Sequence, residues 1–307
     1  MKTIIIVNPH AASGRALWQF RQLEPLLSQA FDDFHVAVTS HPAEVAQQIA
    51  LAAEAGYDTI LSAGGDGTNL AVVNALAQRL EHGFTLATLP LGTGRDWART
   101  LGIPPEPEAA LQWLMRAEAR PIDIGRVTAD GMQHFFLNVA SAGLSGEVGR
   151  RVNAAPVKRP WTYLGATIST LLQFGATAMR VSVDDIPTYE GGAILLAVGN
   201  GRFFGRGMMV CPDAHINDGL LDVVIVESMG KVKVLTALGT LYKGTHIERE
   251  DVHVLRGRRV TVEALGPPVG IELDGDSDLG SHTSITYEIV PGALRMLVDP
   301  SVGAVAS

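Results

Sequence analysis

Apolar and polar positions follow one rhythm up to about Asp123 and another beyond it. Thr3–Val7 is an unbroken apolar run that stops at Asn8-Pro9, the signature of a strand buried on both faces. Ala16–Ala30 then repeats apolar residues at helical spacing, Phe34–Thr39 reads as a strand and Pro42–Ala55 as an Ala-rich helix. Strands follow at Thr59–Ser62 and Phe84–Leu89, with a helix after the first and another at Pro107–Ala117. Strand and helix in alternation predict a doubly wound parallel sheet with helices on both faces.

Beyond Asp123 short strand-like runs dominate: Gly125–Val127, Phe135–Val139, Arg180–Val183, Gly192–Val198, Leu221–Val226, Asp251–Leu255, Arg259–Ala264, Val269–Leu273 and Ile285–Ile289. Gly, Pro, Asn or Asp separates many of them, which predicts an antiparallel β-sandwich. Helical patterns near Tyr163–Phe174 and Val232–Leu241 interrupt it, and Ala293–Val298 reads as a strand returning to the first domain. The expected fold is therefore α/β plus all-β. An N-terminal nucleotide-binding domain spans 1–124 with 292–307 returning to it, and an acceptor domain spans 125–291.

Composition narrows the classes. The chain has 307 residues, 47% of them hydrophobic, enough for two cores. A formal charge of −8 argues against nucleic acid as a partner and confines any contact with anionic lipid to a local basic patch. The single cysteine, Cys211, excludes an internal disulfide and suits a reducing compartment. The first apolar run is too short for a signal peptide, so a cytoplasmic location is expected. Trp161–Met179 carries no charge, yet Leu164, Ile168, Leu171 and Leu172 share one helical face among Thr, Ser, Gln and Gly, which predicts a packed or interfacial helix over a spanning one. Arg150, Arg151, Lys158, Arg159 and Arg180, with Trp161 and Tyr163, form a basic and aromatic cluster. It reads equally as a dock on anionic lipid at the inner membrane surface or as a solvated loop.

The chemistry-bearing segments follow strands. Thr59–Leu61 runs into Gly64-Gly65-Asp66-Gly67-Thr68, and a helical pattern follows. Glycines at a strand-to-helix turn let backbone N–H groups approach an anion, and the helix end adds partial positive charge. A carboxylate beside phosphates needs a cation or a substrate hydroxyl between them, so Asp66 points to phosphoryl chemistry with a divalent metal; an ordinary Asp turn is the alternative. Three more loops stand out: Asn8–Gly14, Leu89-Pro90-Leu91-Gly92-Thr93-Gly94-Arg95-Asp96, and Ile271-Glu272-Leu273-Asp274-Gly275-Asp276-Ser277-Asp278. Neither a P-loop nor the protein-kinase signature set is present.

In order and spacing these segments, together with Pro212-Asp213-Ala214-His215-Ile216-Asn217-Asp218-Gly219-Leu220-Leu221-Asp222, resemble the diacylglycerol-kinase-like family of bacterial lipid kinases. That family also includes sphingosine and ceramide kinases, and its wider superfamily holds NAD kinases and phosphofructokinases. The resemblance covers almost the whole chain. It implies an ATP- and Mg²⁺-dependent enzyme that transfers the γ-phosphoryl group to a lipid hydroxyl, on diacylglycerol, phosphatidylglycerol or a similar acceptor approaching from a cleft between domains. It places ATP on Thr39, on Gly64, Gly65, Asp66, Gly67, Thr68, Asn69 and Leu70, and on Thr93, with Asn8 and Ser13 lining the phosphate side. It implies a structural magnesium held by the Asp218 carboxylate and the carbonyls of His215 and Leu220; the residues alone read Asn217-Asp218-Gly219 as a β-turn, and both can hold, because a metal can brace a turn. Asp274-Gly275-Asp276 matches the family's Asp-Gly-Glu, so Asp276 or Asp274 is the general base and Asp66 a further catalytic acid. Asp96, Asp123 and Asp213 match acids around a catalytic magnesium, although Asp96 also reads as a helix N-cap and Asp123 as the end of a linker.

Two residues depart from the family pattern: Arg95 stands where Asn precedes the acid, and Asp276 where Glu is usual. They keep two other readings open, a kinase of a soluble hydroxyl acceptor and a catalytically weak nucleotide-sensing module. The expected partner is a lipid at a membrane surface; the sequence suggests no protein partner and leaves monomer and homodimer open.

Overall fold

The computed structural model describes residues 1–143, 176–276 and 279–300. The helical pattern at Tyr163–Phe174 and the cationic cluster at 150–159 lie outside the described residues. The chain divides into two compact units, Met1–Ile124 with Pro291 onward, and Gly125–Val290.

In the first unit, β1 (Lys2–Val7) lies between β2 (Asp33–Val38) and β3 (Thr59–Gly64), parallel to both, and β4 (Thr85–Pro90) continues the sheet beyond β3. Helices cover such a sheet on both faces, which is why Ile4, Ile5, Ile6 and Val7 are all buried rather than alternating. Helix α1 (Ala16–Ala30) buries Ala16, Phe20, Leu23 and Leu27, one stripe at helical spacing. α2 (Pro42–Glu54) buries Val45, Ile49 and Ala52, and Pro42 starts it where a missing N–H costs nothing. α3 (Asp66–Leu76) packs against α2 and β3, while α5 (Pro107–Leu114), which follows the short α4 (Asp96–Thr100), packs against α1 and β4.

The second unit is antiparallel. It contains β5 (Glu118–Ala129, which enters from the first unit), β6 (Met132–Phe136), β7 (Val139–Gly143), β8 (Thr177–Val183), β9 (Ile186–Gly199), a short hairpin β10–β11 (Phe203–Phe204 and Met208–Met209), β12 (Leu221–Glu227), β13 (Val252–Gly257), β14 (Arg259–Ala264), β15 (Val269–Leu273), β16 (Ser281–His282) and β17 (Ser284–Val298). The long strand β9 pairs with β8 through its first half, and with β7 and β12 through its second. One strand thus serves both layers of a sandwich. Helix α6 (Lys231–Lys243) is the helical pattern expected near Val232–Leu241. The first half of β17 pairs with β14, whereas Arg295 and Met296 pair with Thr85 and Leu86 of β4, so the chain's end rejoins the parallel sheet.

Two expectations are corrected. Phe135–Val139 is not one strand: the chain leaves the ladder at Leu137-Asn138 because the amides of Leu137, Asn138 and Val139 all donate to the Asp274 carboxylate. Asp123 does not end a linker: it lies inside β5, is buried, and accepts the Gly292 N–H at 2.7 Å. Among the described residues no helix is long and apolar enough to cross a membrane.

Candidate active site

The parallel sheet of the first unit reverses its winding at β1. The chain passes from β1 to β2 on one side, then returns to β3 on the other. Ligands of such sheets bind outside the carboxyl ends of the strands at this switch point. Val7, Val38, Gly64 and Pro90 end their strands along the same edge, which brings the loops after them to one place.

Local chemistry ties these loops together. Asn8 Nδ2 donates to Thr68 Oγ1 at 3.1 Å, linking the loop after β1 to the first turn of α3. Its Oδ1 accepts the His10 N–H at 2.9 Å and shapes the turn that follows. In that turn Ala12 and Ser13 have φ of 52° and 58°, left-handed values that non-glycine residues adopt at a cost. The N–H groups of Leu91 and Gly92 both donate to the Gly64 carbonyl, at 2.8 and 2.9 Å, joining the loops after β3 and β4. That approach depends on glycine: a Cβ on Gly92 would lie 2.4 Å from the Gly65 Cα, and one on Gly64 would meet Thr68 Oγ1 at 2.3 Å.

Asp66 makes the third link. Its carboxylate accepts the N–H groups of Asp96 and Trp97, each at 3.3 Å, at the first turn of α4. The position before α4 is Arg95 in a left-handed conformation (φ 61°), without a side-chain cap. An N-cap role for Asp96 is therefore not what the structure holds; Asp66 covers that helix end from another element. Burial pushes the Asp66 carboxyl above its ordinary value, opposed by the Trp97 and Asp96 amides and by the Arg99 charge. Arg95 folds back so that Nε donates to the Gly92 carbonyl at 2.9 Å. Burial, and then the neighbouring Arg99, lower its guanidinium below the ordinary value. Its left-handed backbone also explains why Asn suits this position, since Asn tolerates that region far better than Arg.

The residues expected to hold ATP divide by exposure. Gly65 precedes α3 without a capping side chain, so the amides of Asp66 and Gly67 at its first turn are available to an anion. A Cβ on Gly67 would meet nothing within 4 Å, so open space lies over that turn. Ser13 and Thr93 are exposed. Thr39 is buried at the end of β2, and its hydroxyl has no partner among the described residues. Asn69 and Leu70 point into the fold: both are buried, and Asn69 Oδ1 accepts the Thr88 hydroxyl at 3.4 Å. These features fit a triphosphate bound chiefly by main chain.

In the second unit the Asp274 carboxylate accepts three consecutive amides, from Leu137 at 2.8 Å, Asn138 at 3.0 Å and Val139 at 2.9 Å. Its own N–H donates to the Val139 carbonyl at 3.0 Å, and its φ is 47°. Asp276 follows in a tight bridge with Leu273, each N–H donating to the other's carbonyl at 2.8 Å, and is partly exposed. The two acids of this turn therefore differ in setting: the oxygens of Asp274 accept backbone amides, and Asp276 is partly exposed.

The acids expected at magnesium differ in their surroundings. Asp96 is buried and paired with Arg99 Nη1 at 2.7 Å; Asp123 accepts the Gly292 amide; Asp213 is exposed. Among the described residues no group of three or more His, Cys, Asp or Glu side chains is arranged to hold a metal ion. In the Pro212–Asp222 segment, His215 Nδ1 lies 2.7 Å from the Asp213 carbonyl. Asp218 Oδ1 accepts the Leu220 N–H at 3.0 Å, while Oδ2 is bonded to Arg256 Nη2. The one carboxylate of that ligand set already faces a cation, so this segment is a poor fit for a tightly held metal. Arg256 escaped the sequence reading; the run Arg256-Gly257-Arg258-Arg259 was its only signal. The Leu137–Val139 amides left no signal at all, because every residue but proline carries one. Arg180, counted with the cationic cluster, is paired with Glu190 at 2.8 Å and Glu263 at 3.1 Å.

Comparison with known proteins agrees with this architecture. Residues 2–127 match the diacylglycerol kinase catalytic domain, and residues 138–298 match the YegS C-terminal NAD kinase beta sandwich-like domain. A probable lipid kinase YegS-like protein of Stenotrophomonas maltophilia is 36% identical over 268 residues, 85% of each chain. A diacylglycerol kinase of Mycobacterium tuberculosis is 30% identical over 300 residues, 96% of this chain and 94% of that one. A crystal structure of a putative diacylglycerol kinase from Bacillus anthracis superposes with a TM-score of 0.81 at 28% identity, covering 98% of this chain and 96% of that one. The chain belongs to the YegS- and diacylglycerol-kinase-like family of lipid kinases.

Proposed function

We infer that the protein is an ATP-dependent lipid kinase that transfers the γ-phosphoryl group to a lipid hydroxyl. The observation that carries the nucleotide half is the joining of three glycine-bearing loops at one sheet edge by the Asn8–Thr68, Gly92–Gly64 and Trp97–Asp66 hydrogen bonds. Family membership supports the lipid acceptor.

The substrate is MgATP, in which magnesium offsets part of the charge on the transferring group. The first-turn amides of α3 and the left-handed turn around Ser13 are proposed to receive the phosphates, with Thr39 and Thr93 beside the nucleotide. Asp276 is proposed as the general base that takes the proton of the attacking hydroxyl. Asp274 positions Asp276 by gripping the Leu137–Val139 backbone, and Asp66 positions the loop after β4. Asp96 and Asp123 are proposed to shape the polar surroundings through Arg99 and Gly292 rather than as a preformed metal site.

The test is incubation with γ-labelled ATP, Mg²⁺ and mixed micelles that carry diacylglycerol or phosphatidylglycerol, alongside glycerol and other soluble alcohols. Label extracted with the lipid supports this reading. Label confined to a soluble product, or ATP binding without any transfer, would overturn it in favour of a soluble-acceptor kinase or a nucleotide sensor.

A further inference from the structure

The segment that leads into β12 is cross-linked by charge in a way the function above does not use. Asp222 and Arg256 face each other in the β12–β13 register. Asp222 is 2% exposed, and its Oδ1 accepts Arg256 Nε at 3.1 Å. The same guanidinium reaches Asp218 with Nη2. Asp218 in turn holds the Leu220 N–H, which closes the turn through Asn217-Asp218-Gly219. One side chain on β13 therefore fastens both the turn and the strand that follows it.

The charge arrangement says what this side chain does. A divalent ion on Asp218 would meet the positive charge of a guanidinium bonded to that same carboxylate.

We propose that Arg256 is the resident cation of this acidic turn, bracing Pro212–Asp222 against β13 so that the segment needs no bound magnesium. The planar, always-charged fork suits this task, since it reaches two carboxylates at once. Removing it leaves the buried Asp222 without its cation, the kind of loss that destabilises strongly, and frees Asp218 for a metal ion.

The experiment uses the full chain without nucleotide or lipid, so its outcome is independent of the kinase assay. Thermal unfolding is followed for wild type and Arg256→Gln in EDTA and in millimolar Mg²⁺, and Mn²⁺ binding is read by electron paramagnetic resonance. Wild type should unfold at the same temperature in both buffers and bind no Mn²⁺ tightly. Arg256→Gln should lose roughly 4 °C or more in EDTA and regain a measurable part of it in Mg²⁺. Three results overturn the proposal: a wild-type midpoint that drops in EDTA, a variant that unfolds like wild type, or a variant whose loss Mg²⁺ does not restore. Should Arg256→Gln fail to fold, wild-type Mn²⁺ binding decides: a tight site lost in Asp218→Asn refutes the proposal, and its absence upholds it.

Discussion

The Asp66 carboxylate accepts the Trp97 N–H at 3.3 Å, so the acid of the Gly-Gly-Asp-Gly turn closes the end of a helix 31 residues later in the chain. Asp66→Ala opens that helix end and leaves amides without an acceptor. We expect a loss of about 1–3 kcal/mol in urea unfolding and weaker ATP binding in the same preparation. A variant that unfolds like wild type would dismiss the linking role.

Two glycines of the nucleotide loops should respond in opposite ways. Gly67→Ala adds a Cβ into open space at the second residue of α3, so stability should hold or rise by up to about 1 kcal/mol. ATP affinity should fall by about tenfold or more, because the methyl enters the space assigned to phosphate. Gly92→Ala drives a Cβ onto the Gly65 backbone and should cost about 1–3 kcal/mol of stability. Thermal unfolding with and without ATP separates the two; undiminished ATP binding by Gly67→Ala would move the phosphates elsewhere.

The acids of the turn after β15 should separate stability from turnover. Asp274→Ala strands three amides and should destabilise by about 3 kcal/mol or more. Asp276→Asn should leave unfolding within about 0.5 kcal/mol and lower kcat by about 100-fold or more. Full turnover by Asp276→Asn in the lipid assay would remove it as the base.

His246 gives a pH prediction. It is buried, its Nε2 lies 3.0 Å from the Val210 carbonyl, and burial lowers its folded-state pKa below 6.5. The unfolded chain therefore binds a proton, as pH falls through 6.5 toward the folded value, that the folded chain refuses. His246 contributes its full share of stability above 6.5 and loses it progressively below. His246→Gln keeps a donor for Val210 and should flatten the acid side of the stability profile measured by urea midpoints. An unchanged profile would count against His246 as its source.

Much of the first unit is legible in the chain. Ile4-Ile5-Ile6-Val7 could only be a strand buried on both faces, and helical spacing set α1 at Ala16–Ala30 as found. The glycine loops could be assigned to strand ends because turn chemistry is local. The split of Phe135–Val139 was not legible. Those residues carry strand-forming side chains, and the group that removes their amides from the ladder is a carboxylate more than a hundred residues away.

The same division holds at the site. Local patterning, set by side-chain period and glycine freedom, determined by itself the alternating first domain, the strand-rich second one and the four loops worth watching. Only the tertiary structure decided which donors meet which carboxylates. It turned Asp66 onto the Trp97 amide, filled Asp274 with three others, and set Asp222 opposite Arg256 in the β12–β13 register. The reason is physical. A carboxylate's role depends on the donors around it, and backbone amides and cross-strand cations arrive only when distant segments fold together.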